Sequence, residues 1–88
     1  MTDRYKSYEG TVDDTTPVTL NVYTDIKGTA QGGYIAADNG DIKVSFGSDN
    51  PQITVKAGEA LAIEGLEASK IVLIAASGTA NYRCLVHR

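Results

Sequence analysis

The chain has 88 residues, 42% of them hydrophobic, which predicts one domain at a size where roughly 60% of the unfolded surface is buried on folding and association would add stability. A net charge of -3 with eight scattered Lys and Arg argues against nucleic acid as a partner, since neutralising phosphates requires clustered cations. No run approaches the ~20 apolar residues of a membrane span, and a single cysteine cannot form an intrachain disulfide.

Residues 1–16 (MTDRYKSYEGTVDDTT) show neither strand nor helix period and no apolar core of a signal peptide. They are expected to form an extended arm before the domain of residues 17–88, with Pro17 fixing the junction. Tyr5 and Tyr8 are its candidate contacts, because a tyrosine ring buries large area while its hydroxyl tolerates a wet rim.

From Val18 the pattern predicts strands. Val18, Leu20 and Val22 alternate with Thr19, Asn21 and Tyr23, and Asp25 to Gly33 reads as a loop. Gly33 to Ala37 is a short strand, and Asn39-Gly40 then favours a two-residue hairpin turn into Ile42, Val44 and Phe46. A loop over residues 47–51 leads to Ile53 and Val55, a turn at Ala57-Gly58-Glu59 to Leu61 and Ile63, and Gly65 breaks that strand before a crossover over residues 66–69. The chain closes on a predicted hairpin, Lys70 to Ala76 and Ala80 to Val86 about a Ser77-Gly78-Thr79 turn.

These elements make the chain all-β, a small antiparallel β-sandwich of about seven strands with an extended N-terminal arm; a small closed barrel is the competing architecture. Val18, Leu20, Val22, Ile42, Val44, Phe46, Ile53, Val55, Leu61, Ile63, Ile71, Leu73, Tyr82, Cys84 and Val86 are the expected inter-sheet core. The first strand of the last hairpin is apolar on both faces, which implies cover on both sides. That leaves Val72, Ile74 and Leu85 as an outward apolar row, covered either by the arm or by another subunit.

No residue set here suggests catalysis. His87 stands beside the end of the sequence, and Cys84 and His87, three apart on a strand, fall on opposite faces. Asp38-Asn39-Gly40-Asp41 is too short a run to supply the six to eight oxygens of a calcium site, and Gly28 to Gly33 lacks the spacing of a phosphate loop. No catalytic, cofactor-binding or metal-binding residues are expected, and no cofactor.

The segments Gly40 to Ser45 (GDIKVS), Ile53 to Leu61 (ITVKAGEAL), Gly65-Leu66 with Ser69 to Leu73 (SKIVL), and Gly78-Thr79-Ala80 before Tyr82 resemble the small β-sandwich structural proteins of tailed bacteriophage virions. That resemblance implies a non-enzymatic capsid decoration or cement protein, made in the bacterial cytoplasm and located in the virion. Its partners would be capsid or other virion proteins and further copies of itself, with Tyr5, Tyr8, Val72, Ile74 and Leu85 as contacts. A tail, baseplate or fibre module is the alternative within the virion. A ligand-binding sandwich, taking carbohydrate at Tyr23 and Tyr34 beside the Gly28 to Gly33 loop, is the alternative outside it.

Overall fold

A computed structural model describes residues 5–47, 53–64 and 68–88. Its elements are β1 (Tyr5–Asp13), β2 (Val18–Leu20), α1 (Val22–Ile26), β3 (Gly32–Asn39), β4 (Ile42–Phe46), β5 (Ile53–Val55), β6 (Ala60–Ala62), β7 (Ile71–Ala75) and β8 (Thr79–His87). They form the expected antiparallel sandwich: a first sheet in the order β1-β8-β3-β6 faces a second in the order β2-β7-β4-β5. Among the described residues no helix is long and apolar enough to cross a membrane. The expected loop over residues 48–51, the crossover residues 66–67, Gly65 and the first four residues of the expected arm lie outside the described residues.

Period-two alternation decides which side chains meet between the sheets. On β8, Ala80, Tyr82, Cys84 and Val86 are buried while Thr79, Asn81, Arg83 and His87 are exposed. On β7, Ile71, Leu73 and Ala75 join the same core cluster. The core contains most of the aliphatic set read from the sequence, together with Val12, Ile26 and Ile35 and the small residues Ala30, Ala37, Ala68, Ala75 and Ala80. Ile53 departs from it, 43% exposed on the short edge strand β5.

The path of the chain differs from the two hairpins expected. β7 and β8 are not paired with each other: β7 lies between β2 and β4 in the second sheet, and β8 between β1 and β3 in the first. Asn39-Gly40 likewise carries the chain from β3 in one sheet to β4 in the other, and among the described strands β4 and β5 are the only ones consecutive in sequence that also pair. The turn residues did supply the required geometry, since Gly40 has φ +86 and a Cβ there would lie 2.9 Å from the Thr79 carbonyl oxygen. A left-handed residue turns the chain, but it does not choose between returning in the same sheet and turning a corner into the facing one. Asp41 then fixes the corner: its carboxylate accepts the Ala57 N–H at 2.8 Å and its carbonyl the Ala76 N–H at 2.9 Å.

The expected arm is also corrected. Residues 5–13 form β1, a nine-residue strand paired with β8 from Tyr5↔His87 to Asp13↔Thr79. Its affinity for the sheet comes from main-chain hydrogen bonds to a central strand, which leave no apolar period; only Val12 is a buried aliphatic. Past β1 the Asp13 carboxylate accepts the Thr16 and Thr15 amides at 2.7 and 3.0 Å, which holds it below the usual carboxylate range and turns the chain toward β2.

The first predicted strand is cut short in the same way. It ends at Leu20, and Val22 opens α1 instead of continuing the alternation. Val22 and Ile26 are four apart, so a single helical turn buries both completely. Lys27 closes the turn in the left-handed region, and Gly28 N–H bonds the Tyr23 carbonyl at 3.2 Å.

The closest strand contact generates a test. Gly33 has φ +130, and a Cβ there would overlap the Leu85 carbonyl oxygen on β8. Gly33→Ala is expected to lower stability by about 3 kcal/mol through backbone strain and displacement of β3 from β8. A denaturant titration would show this as a lower midpoint at unchanged m-value.

Candidate functional site

Between the sheets the polar groups are engaged or inert. Tyr8 points inward, opposite Cys84 in the register, and its phenol donates to Asp25 Oδ2 on α1 at 2.5 Å. Burial first, then this bond to a carboxylate, push the Tyr8 hydroxyl far above its ordinary value. Burial alone pushes the Cys84 thiol up to about 12, so it carries no thiolate near neutrality. Among the described residues no three His, Cys, Asp or Glu side chains converge as a metal-ligand set, and His87 lies exposed near the end of β8.

The outer face of the first sheet is different. Register places Ser7, Leu85, Tyr34 and Ala62 in one row across β1, β8, β3 and β6, and Glu9, Arg83, Ala36 and Ala60 in the next. A third row holds Thr11, Asn81 and Asn39, where Thr11 Oγ1 donates to Asn81 Oδ1 at 2.9 Å. The register slips between Ala37 and Asn39, and this bulge brings Asp38 to Arg83. Arg83 Nε donates to both Asp38 oxygens, at 3.0 and 2.8 Å. That bond, and the carboxylate charge behind it, raise the Arg83 guanidinium further above its ordinary value.

Two adjoining clefts open on this face. The larger, about 590 Å³, is lined by Ser7, Glu9, Tyr34 and Arg83 over the strand segments of Tyr8, Tyr82 and Cys84. The smaller, about 400 Å³, runs on past Thr11, Asp38 and Asn81, and Glu9 and Arg83 belong to both. An acid, a guanidinium, a phenol and a serine hydroxyl thus border the larger cleft. It can hold a small polar molecule.

The residues singled out from the sequence do not form one surface. Tyr5 is 68% exposed on the outer face of β1, whereas Tyr8, three residues on, is turned inward to Asp25. Val72, 2% exposed, and half-buried Ile74 belong to the second sheet and Leu85 to the first, so the expected apolar row is split between opposite sides of the molecule. Its physical basis, a shared hairpin, is not present. Tyr34 borders the larger cleft, but Tyr23 is on α1 and lines neither cleft.

Glu9, Arg83 and Asp38 were not singled out. Arg83 could have been, since inward Tyr82 and Cys84 force it outward, while Glu9 lay in the stretch read as an arm and Asp38 in the stretch read as a turn.

No family model and no curated protein matches the chain. Solved structures do match. An HTH_3 family transcriptional regulator from Vibrio cholerae aligns at TM-score 0.67 and 19% identity, over 98% of this chain and 44% of that one. An RmlC-like cupin family protein with a double-stranded β-helix fold, from Methanocaldococcus jannaschii, aligns at TM-score 0.63 and 7% identity, over 98% and 72%. The Fe(II) form of HppE aligns at TM-score 0.63 and 17% identity, over 94% and 42%. The chain therefore spans less than half of the regulator and of HppE.

These findings overturn the decoration, cement and tail functions drawn from the phage resemblance. The structures named above are a transcriptional regulator, a cupin family protein and HppE, and none of these three is a virion protein. The structures similar to this chain include both HppE, which has also been solved in complex with its substrate, and a Cupin_2 domain of a transcriptional regulator.

Two outcomes are expected from the interior. Tyr8→Phe removes the bond to Asp25 and is expected to cost about 2 kcal/mol in chemical denaturation. The unfolded Cys84 thiol releases its proton near pH 9 and the folded one near 12. Its contribution to stability is therefore complete below pH 9 and falls above it by up to about 1.4 kcal/mol per pH unit. Midpoints measured from pH 8 to 11 should decline less steeply in Cys84→Ala.

In fold, the chain is a small antiparallel β-sandwich of two four-stranded sheets, similar to that of the double-stranded β-helix protein above.

Proposed function

We propose that this chain is a non-catalytic binding module that holds a small polar ligand on the outer face of its first sheet, around Arg83 and Glu9. The observation that carries this reading is the contrast between the two surfaces of β8. Inward, Ala80, Tyr82, Cys84 and Val86 are packed into the core. Outward, Arg83 is held in place by Asp38 beside a carboxylate and a phenol that border the same open cleft. A pre-positioned guanidinium meets a ligand at lower entropic cost than a free one.

One further point supports the reading. A Cupin_2 domain belonging to an XRE family transcriptional regulator from Enterobacter cloacae shares the fold, so the fold is used in regulator-attached domains.

The test is amide chemical-shift mapping of the labelled protein against a library of sugars, nucleotides, amino acids and organic acids. Saturable shifts over residues 7–11, 34 and 81–85 are expected, with the bound compound recovered unchanged. Arg83→Ala should abolish them while leaving Tm unchanged, because the Arg83–Asp38 pair is solvent-exposed. Shifts confined to the core, or conversion of the compound, would refute the reading.

A further inference from the structure

The charges around the larger cleft define its ligand more narrowly, provided that this face binds a small molecule as proposed. Glu9 and Arg83 are directly opposite in the β1–β8 register, a separation of about 4.5–5.5 Å between Cα partners, yet Arg83 gives its Nε to Asp38 on the other side. Asp38 thereby orients the guanidinium, whose side chain is 53% exposed. Among the described residues the Glu9 carboxylate makes no hydrogen bond, and it borders both clefts.

An unaccompanied anion approaching Arg83 would be repelled by Glu9, and an unaccompanied cation approaching Glu9 would be repelled by Arg83. A molecule carrying both charges on neighbouring atoms meets neither penalty. Beside this pair stands Tyr34, next to half-buried Leu85 in the adjoining row, an aromatic and aliphatic surface suited to an apolar substituent. The cleft volume of about 590 Å³ is in the range of ~300–1,000 Å³ typical of small-molecule sites.

We infer that the cleft binds a zwitterionic α-amino acid with an apolar or aromatic side chain. Its carboxylate lies on the terminal nitrogens of Arg83, its ammonium on Glu9, and its side chain against Tyr34. In this arrangement Arg83 makes a forked contact that Lys could not reproduce.

Heteronuclear NMR titrations of the full chain test the inference with L-phenylalanine, L-leucine, phenethylamine and 3-phenylpropionate. The two amino acids should shift the amides of Glu9, Tyr34 and Arg83 saturably. Phenethylamine, which lacks the carboxylate, and 3-phenylpropionate, which lacks the ammonium, should bind at least tenfold more weakly. Glu9→Gln should weaken L-phenylalanine at least tenfold without weakening 3-phenylpropionate, and Arg83→Lys should weaken it comparably with the fold unchanged by its amide spectrum. Equal binding of L-phenylalanine and either single-charge analogue would overturn the inference, as would absence of shifts at the cleft with both amino acids. If another compound of the wider library still shifts the cleft, only the ligand class falls; if none does, the binding function falls with it.

Discussion

The alternation of β8 is the constraint on which the rest of this molecule depends. Tyr82, Cys84 and Val86 face the second sheet and pack into the core beside Ile35 of β3, which lies opposite Cys84. Once they do, Asn81, Arg83 and Leu85 are committed to the opposite face. A one-residue slip against β1 or β3 would bury a guanidinium and expose the core in a single step, so register is strongly specified here. The same periodicity that seals the interior therefore builds the outer cleft, and a change of register would disrupt both surfaces at once.

The strands with one buried face were legible in the sequence, and the reasons are visible in individual residues. Ile42 and Val44 on β4 and Tyr82, Cys84 and Val86 on β8 alternate with polar neighbours, and each is buried where its period places it. β1 was illegible because its inward set is Lys6, Tyr8, Gly10 and Val12, of which a single residue is aliphatic. Pairing to β8 along the main chain makes it a strand, and main-chain hydrogen bonds leave no trace in side-chain pattern. α1 was illegible for another reason: two apolar residues four apart fill one helical turn, too short a stretch to distinguish from the end of a strand.

Sheet assignment was the larger loss. Asn39-Gly40 and Ser77-Gly78-Thr79 are good turns in isolation, and local chemistry favours returning along the same sheet. The chain instead turns a corner at both, because β7 and β8 are each apolar enough to require neighbours on both edges and cover on a face. Being central in different sheets meets that need twice. The cleft suffered from the same non-locality: Glu9, Asp38 and Arg83 meet only through β1–β8 pairing, β3–β8 pairing and a bulge, none of which is encoded near any one of them. One fold can host varied functions, so the chemistry has to be read from such a site and not from the architecture.

The interleaved path has a consequence for how the chain reaches its fold. Asp13 finds its partner at Thr79 and Val18 at Leu73, so the pairings that complete both sheets close long loops. Before β7 and β8 emerge in synthesis, the described pairings available are only β3 with β6 and β4 with β5. Topologies dominated by such distant contacts fold slowly, and their intermediates leave strand edges open to other chains. Nascent copies would thus carry β1 unpaired until β8 appears, and the interval before that strand emerges is when this protein is most exposed to chaperones, proteases and mispairing with its own kind.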